Sequence, residues 1–309
     1  MNAGDNIHRL VVHHGREKAR LIVDPSARRL VDIAAEVLAD ESRAIGISYA
    51  GFCLTSLPHK RLPDEQAWEK KGHRVTLLVE PGRMREGGRT RLYGVPFGAR
   101  ARMILLYLQT QAVRTGNREV ELGRSMRAWL ERMGIAWGGE TAKSMREQAE
   151  RISACSLKFF WEEGSADGWS AGRIVNSGLR FNAMTEDQGQ LWEDRVVLDQ
   201  VFFDALREHP VPLREAAICE LRDRSLSLDL YVWLAWRLHT IERDTSIRWA
   251  AVHHQFGAGF QAVRHFRPRF VTALQAALAA YPEARVSVDE AGVILHPSAP
   301  PVPKLRLGA

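Results

Sequence analysis

Between Arg264 and Arg269 the chain places Arg264, His265, Arg267 and Arg269 within six residues. They interrupt an apolar repeat of Val263, Phe266, Phe270, Leu274, Ala277, Leu278 and Tyr281. On a helix this repeat turns inward, leaving Arg264, His265, Pro268, Arg269 and Thr272 outward and Arg267 at the margin. Guanidinium groups on the first turn of such a helix suit the major groove of DNA. There one arginine pairs bidentately with guanine and discriminates against a wrong base by about 1–3 kcal/mol. Arg248 and Arg285 flank the helix as candidate phosphate contacts. Proline inside a helix costs about 3 kcal/mol, so the helix is expected to begin near Arg264, with Pro268 in or near its first turn. A start nearer Gly259 would bring a kink at Pro268. A weaker basic set lies upstream. Lys143, Arg146 and Arg151 share a helical segment with Glu140, Glu147 and Glu150, and Arg124 and Arg127 precede it as candidate phosphate contacts.

Other chemistries lack their residues. The sequence has no GxxxxGK[ST] phosphate cradle, no HExxH and no GxSxG. His13-His14 and His253-His254 are adjacent pairs, whose side chains point to different faces. A nicking enzyme that holds a metal between two histidines needs them one residue apart on a strand, and no His-x-His occurs. No catalytic, metal or cofactor site is expected.

The basic residues need elements to carry them. The 309 residues are 45% hydrophobic and 26% charged, enough for two domains of roughly 100–200 residues, each with its own core. Uninterrupted apolar runs are short, six residues at Met103–Leu108 and seven where Leu230 precedes Tyr231–Trp236; a membrane helix needs about 18. The opening MNAGDNIHRL lacks the apolar stretch of a secretory leader. Cys53, Cys155 and Cys219 form no CxxC, so a reducing cytoplasm is the expected compartment. The net charge is +6, and 36 of the 43 bases are arginine. Arg83–Arg132 holds eleven arginines against four acids, a net of +7, and Ser246–Arg285 holds five against one, a net of +4. Segments of this kind suit a polyanion.

Residues 1–25 show no sustained period and are expected to be a mobile arm. Ser26–Ala44 reads as an amphipathic helix, Ser48–Leu57 and Arg74–Val79 as strands. Over 94–116 the stripe of Ala101, Ile104, Leu105, Leu108 and Ala112 predicts a helix, stopped by Gly116. A strand at Arg118–Leu122, a helix from Ser125 to Met133, a helix over Thr141–Ala154 and strands at Cys155–Trp161 and Gly172–Phe181 follow. Helix, strand, helix, helix, strand, strand is the order of a winged helix, whose third helix enters a DNA groove and whose hairpin is the wing. The order recurs. A strand at Asp194–Asp199 leads to helices near Gln200–Glu208, Leu213–Leu221 and Leu226–Thr240. A helix capped by Ser246 runs through Phe256, the arginine-bearing helix follows, and strands at Ala284–Val288 and Val293–His296 close the block. Trp129, Trp161, Trp233 and Trp249 fall at inward positions. The expected fold is therefore α+β: two winged-helix domains in tandem with a small N-terminal helix/strand extension. Residues 1–25 are the arm, 26–190 the extension and first winged helix, 191–298 the second, and the Pro-rich 299–309 a flexible tail.

Five segments resemble one family. They are SYAGFCLTSLPHKRLPDEQAWEKKGHRVTLLVEPG (48–82), GVPFGARARMILLYLQTQAVRTGNREVELGRSMRAWLERMGI (94–135), FFDALREHPVPL (202–213), SLSLDLYVWLAWRL (225–238) and the stretch from Ile247 through AVHHQFG and FRPRF to Val286. In this order they resemble the plasmid-encoded RepA replication initiators of proteobacteria; Pro268 departs from the basic or polar residues usual in its stretch. The resemblance implies a DNA-binding protein rather than an enzyme. Such initiators bind direct repeats, or iterons, in double-stranded origin DNA, help open an adjacent AT-rich segment, and recruit the host initiator DnaA and the replicative helicase. It further implies a first domain for dimerisation and a second for iteron reading. Monomers initiate, while dimers repress their own gene or couple origins, a form of copy-number control. Carried over, Arg264, His265, Arg267 and Arg269 read bases, and Arg248 and Arg285 contact phosphates. The competing reading is a winged-helix transcriptional repressor without initiator activity.

Overall fold

Two helices open the chain, α1 (Ala3–Ile22) and α2 (Arg28–Ala39), and they pack on each other through Ile7, Ala19, Val31 and Ala34. The computed structural model describes residues 3–86, 88–123, 125–163, 166–172, 174–177 and 195–303. It divides into a terminal unit, Met1–Gly46 with Val211–Ala309, and an inserted unit, Ile47–Pro210. This partition replaces the consecutive blocks 26–190 and 191–298, because α1 and α2 fold with the C-terminal part of the chain. Among the described residues no helix is long and apolar enough to cross a membrane.

The segment expected to be a mobile arm is thus α1. Its apolar period is hidden because Gly15, at φ 71°, breaks it into two phases; a non-glycine residue would be strained there. Asp32 of α2 is buried and receives the guanidiniums of Arg16, at 2.9 Å, and of Arg20. Burial opposes ionisation of Asp32, but Arg20 and Arg16 outweigh it and hold its carboxyl below the usual range. A depressed carboxyl contributes stability above its unfolded value of 3.8, and that contribution fades as pH falls through the folded value. Asp32→Asn is expected to cost about 2 kcal/mol at neutral pH. Its melting temperature should then converge on that of the wild type as pH is lowered below about 4; a constant gap across that range would refute the ion-pair account.

The inserted unit begins in β1 (Ile45–Tyr49) and α3 (Ala50–Leu54). It continues through β2 (Trp68–Lys71), β3 (Val75–Glu80), β4 (Gly82–Glu86), β5 (Arg89–Tyr93), α4 (Gly98–Thr115), β6 (Glu119–Glu121), α5 (Met126–Arg132) and α6 (Gly139–Ala154). β7 (Ser156–Glu163), β8 (Ala166–Gly172), β9 (Val175–Ser177), β10 (Arg195–Leu198) and α7 (Gln200–Glu208) complete it. Helix α4 is buried along most of its length and is the axis of the core. Its Gln109 and Thr110 accept the backbone N–H groups of Tyr49 (2.7 Å) and Ile47 (2.8 Å), satisfying donors that burial would otherwise leave unpaired. Ser125 caps α5 by accepting from Ala128 N at 3.2 Å.

The wing assignment changes. The strands expected to form it, 155–161 and 172–181, fall in different sheets: β7 belongs to a four-stranded antiparallel sheet in the order β2-β3-β7-β8, in which β8 occupies the expected turn, whereas β9 lies within 172–181. Strand β6 instead pairs with β10, which pairs with β9, in the order β6-β10-β9. Residues 195–198, read as the opening of a second repeat, thus close the first; the β9–β10 connection, 178–194, lies outside the described residues. Inward Leu157 and Phe159 on β7 meet Val79 and Leu77 of β3, which explains why β7 joins that sheet.

The terminal unit resumes with β11 (Pro210–Arg214), α8 (Glu215–Leu221), α9 (Ser225–Arg237) and β12 (Thr245–Arg248). It ends in α10 (Trp249–Phe256), α11 (Val263–Ala279), β13 (Arg285–Val288) and β14 (Gly292–His296). The sheet order is β12-β14-β13, matching β6-β10-β9. Ser246, expected to cap a helix, lies inside β12 opposite Ile294, and α10 starts at Trp249. The α11 repeat is buried from Phe266 to Tyr281. Phe270 meets the rings of Trp249 (5.7 Å), Phe266 (5.3 Å) and Phe256 (5.9 Å). Helix α1 reaches this core through His8, whose Nε2 donates to Ala279 O at 2.9 Å. Part of the expected free tail is also docked: Ala299 O accepts from Tyr281 Oη at 2.8 Å, and Pro301 is buried.

Candidate nucleic-acid interface

Helix α11 begins at Val263, next to the expected start at Arg264, and Pro268 stands just past its first turn. Its missing N–H denies the Arg264 carbonyl an i+4 partner. The site is exposed, so water can take that role. Arg264, His265, Arg269 and Thr272 are exposed beside it, while Phe266 and Phe270 point into the core. The first turns therefore present two guanidiniums and an imidazole on a base fixed by two aromatic anchors.

Arg267 is placed differently. Its Nη2 donates to Asp289 O at 2.9 Å, and its guanidinium lies 4.9 Å from the centre of the Trp249 ring. Trp249 Nε1 donates to the same carbonyl at 3.1 Å. Three elements meet here, α10, α11 and the β13–β14 turn, so Arg267 sets the turn against the helix. The turn is acidic at its tip, where Asp289 and Glu290 are exposed. The Asp289 carboxylate is spent locally, accepting from Ala291 N and Gly292 N at 2.8 Å each.

The flanking arginines separate. Arg248 is exposed and pairs across β12–β14 with Gly292, beside the turn and near Arg267. Arg285 is also exposed but pairs with His296, at the opposite end of the sheet. It follows the C-terminal end of α11, a 17-residue helix about 25 Å long. The structure therefore groups Arg248 with the α11 turn and not Arg285.

In the inserted unit, Lys143 on α6 is exposed, and Arg146 is half-buried with its Nε lacking a hydrogen-bond partner among the described residues. Glu147 is drawn inward by Arg151, at 3.0 Å. Arg151 itself is buried; it also holds Asp64 at 2.9 Å, donates to Val95 O at 3.3 Å and stacks on Phe97. It is a structural residue. Arg127 is exposed but paired with Glu131 at 3.1 Å, and Arg124 lies outside the described residues. Two features escaped the sequence reading. Trp137, between α5 and α6, is 45% exposed. Four exposed arginines also line β4 and β5. The +7 charge of Arg83–Arg132 contained that second signal, but charge alone does not reveal which arginines are buried.

Residues 95–254, just over half of the chain, match the family described as plasmid encoded RepA protein. The fold is similar to domains 2 and 3 of RctB, at 13% identity and a TM-score of 0.52, over 81% of this chain and 98% of that one. A second crystal structure of RctB domains 2–3, residues 155–483, aligns over 80% of this chain and 94% of that one, at 13% identity and a TM-score of 0.47. No curated protein sequence matches significantly. A protein with a mixed α and β fold and an arginine-bearing helix next to a short antiparallel sheet is thereby placed among replication proteins. The chain belongs to the plasmid-encoded RepA family of replication initiators.

Proposed function

We propose that the protein initiates plasmid replication by binding repeated duplex sites in the origin, with α11 as its reading helix. Two blocks of the chain are then winged helices: α4, β6, α5, α6, β9, β10 and α9, β12, α10, α11, β13, β14. The observation that carries this reading is the outward set of Arg264, His265 and Arg269 on α11, braced by Phe266 and Phe270. Arg248 contacts phosphate beside the turn. Arg285 would serve a more distant phosphate. Lys143, Arg146, Arg127 and Arg124 give the inserted unit a weaker, backbone-directed contact. No bond is made or broken by the protein. Binding to successive repeats bends the DNA and favours unpairing of flexible AT-rich steps, and DnaA and the replicative helicase load on the opened segment. A monomer–dimer equilibrium lets the dimer repress its own gene. The work takes place on plasmid DNA in the cytoplasm.

A footprint of the full chain on the DNA flanking its gene, at about 150 mM salt, tests this. Protection recurring at roughly 20 base pairs, about two helical turns, is the expected result. Protection of a single inverted repeat would favour the repressor reading, and binding that ignores sequence would overturn both.

The acidic turn yields a second expectation. Glu290 faces solvent at the tip, where a winged helix approaches phosphate. Glu290→Lys should strengthen binding to any duplex and steepen the slope of log affinity against log salt by about 0.9, one added phosphate contact. An unchanged slope in a salt titration would mean the turn stays clear of DNA.

A further inference from the structure

Strands β4 and β5 form a two-stranded sheet of their own. The twelve residues from Gly82 to Tyr93 contain four arginines and one acid, a net charge of +3. Arg83, Arg85, Arg89 and Arg91 are all exposed. The register divides them between the faces: Arg83 and Arg85 lie opposite Leu92 and Thr90, whereas Arg91 and Arg89 lie opposite Met84 and Glu86. Directly opposed residues share a face, so each face carries two arginines. Neither face is apolar enough to be covered by the core.

An isolated two-stranded ribbon is marginally stable in water, and this one is held at its root. A Cβ on Gly82 would lie 1.7 Å from Ala154 O, so the ribbon leaves directly from the end of α6 and only glycine fits. Tyr93 is buried. The Cys155 thiol donates to Gly94 O at 3.4 Å, and buried Arg151 binds Val95 O and Asp64. The root is rigid while the arginines extend into solvent over strands about 17 Å long.

We infer that the β4–β5 ribbon is a DNA-backbone arm, which enters a groove edge-on so that each face meets one wall of phosphates. Charge on both faces is what a groove with two anionic walls requires. A flat anionic partner would need charge on one face only. Arg91 lies 5.1 Å from the centre of the Tyr93 ring at the root, and Arg89 stands opposite Glu86 near the tip. The arm carries no sequence information; it adds affinity and holds register, the work of phosphate contacts. The inference rests on the reading that the chain binds duplex DNA.

The test uses the full chain, a duplex from the DNA flanking its gene and a scrambled duplex of equal length, with binding measured by fluorescence anisotropy from about 50 to about 200 mM salt. Replacing all four arginines by serine (R83S/R85S/R89S/R91S) should weaken binding to both duplexes by the same factor and reduce the salt slope by about 3.6. About a hundredfold of the salt-driven loss across that range would then disappear. A four-lysine variant keeps the charge and should keep the slope. The tip pair R85S/R89S disturbs the root least, should melt like the wild type, and should reduce the slope by about 1.8. Wild-type slopes in both serine variants would overturn the arm alone, as would a loss confined to the flanking duplex or a loss of binding to acidic vesicles with DNA binding intact. A wild-type protein that binds neither duplex would overturn the proposed function together with the arm.

Discussion

The Arg264→Ala/Arg269→Ala protein is expected to bind its repeated site at least about 30-fold more weakly than wild type, with far smaller change on unrelated duplex. Each bidentate arginine–guanine pair discriminates by about 1–3 kcal/mol, and two such pairs together give about 2–6 kcal/mol. Both side chains are exposed, so removing them leaves the core untouched. Competition binding against specific and scrambled duplexes reads the ratio directly. Equal losses on both would make Arg264 and Arg269 phosphate contacts. Arg267 should behave otherwise. Its guanidinium is engaged by Asp289 O and the Trp249 ring, so Arg267→Ala releases the β13–β14 turn from the helix. Its effect should extend to the turn's own contacts, including the response to Glu290→Lys.

The stripe of α11 was legible because it spans seven apolar positions over five turns, and periodicity over that length has few competing explanations. The role of Arg267 was not. At the margin of a helical projection a side chain can face either way, and its partners are set by a turn 22 residues later. The same non-locality hid the strand pairing of the inserted unit. The expected hairpin joins strands at 155–161 and 172–181 through a polar turn, yet β8 lies in that turn, and nothing in 155–181 says that β7 also pairs with β3. Nor does the sequence near 195–198 announce that β10 pairs with β6, more than 70 residues earlier. Helix α1 shows a third limit. Each half, on either side of Gly15, is too short to display a stripe, and its binding surface on α11 lies some 270 residues away. Short helices of this kind are stabilised by packing rather than by propensity. Ser246 failed for a related reason: a serine before an apolar run is a cap signal, yet here the preceding four residues are claimed by β14.

The basic residues divide on the same principle. Composition counts Arg102 and Arg151 with the rest, yet both are buried. Arg102 donates to Leu57 O at 2.7 Å and Gly98 O at 2.8 Å, fixing the loop that leads to α4, and Arg151 fixes the ribbon's root. Buried arginines are kept because their fork satisfies several carbonyls at once. The arginines of the ribbon, and Arg264 and Arg269 on the first turns of α11, are instead exposed. Exposure thus separates the arginines that hold the scaffold from those available to a polyanion.

Phe270 joins scaffold and site, and its removal should have the largest effect on stability. The ring is fully buried, one turn after Phe266, and touches three aromatic side chains from α10 and α11. Truncation of a phenylalanine in such a setting costs about 3–5 kcal/mol, from lost transfer energy and the cavity left behind. For a unit of this size Phe270→Ala should lower the melting temperature by about 10 °C. Phe270→Leu fills more of the space and should lose less than half as much. Because none of the side chains proposed to read bases is altered, the Phe270→Ala protein should regain near-wild-type affinity for its site when assayed well below its melting temperature. Weak binding that persists at low temperature in a folded variant would show that the ring sets the angle of Arg264 and Arg269 as well as the stability of α11.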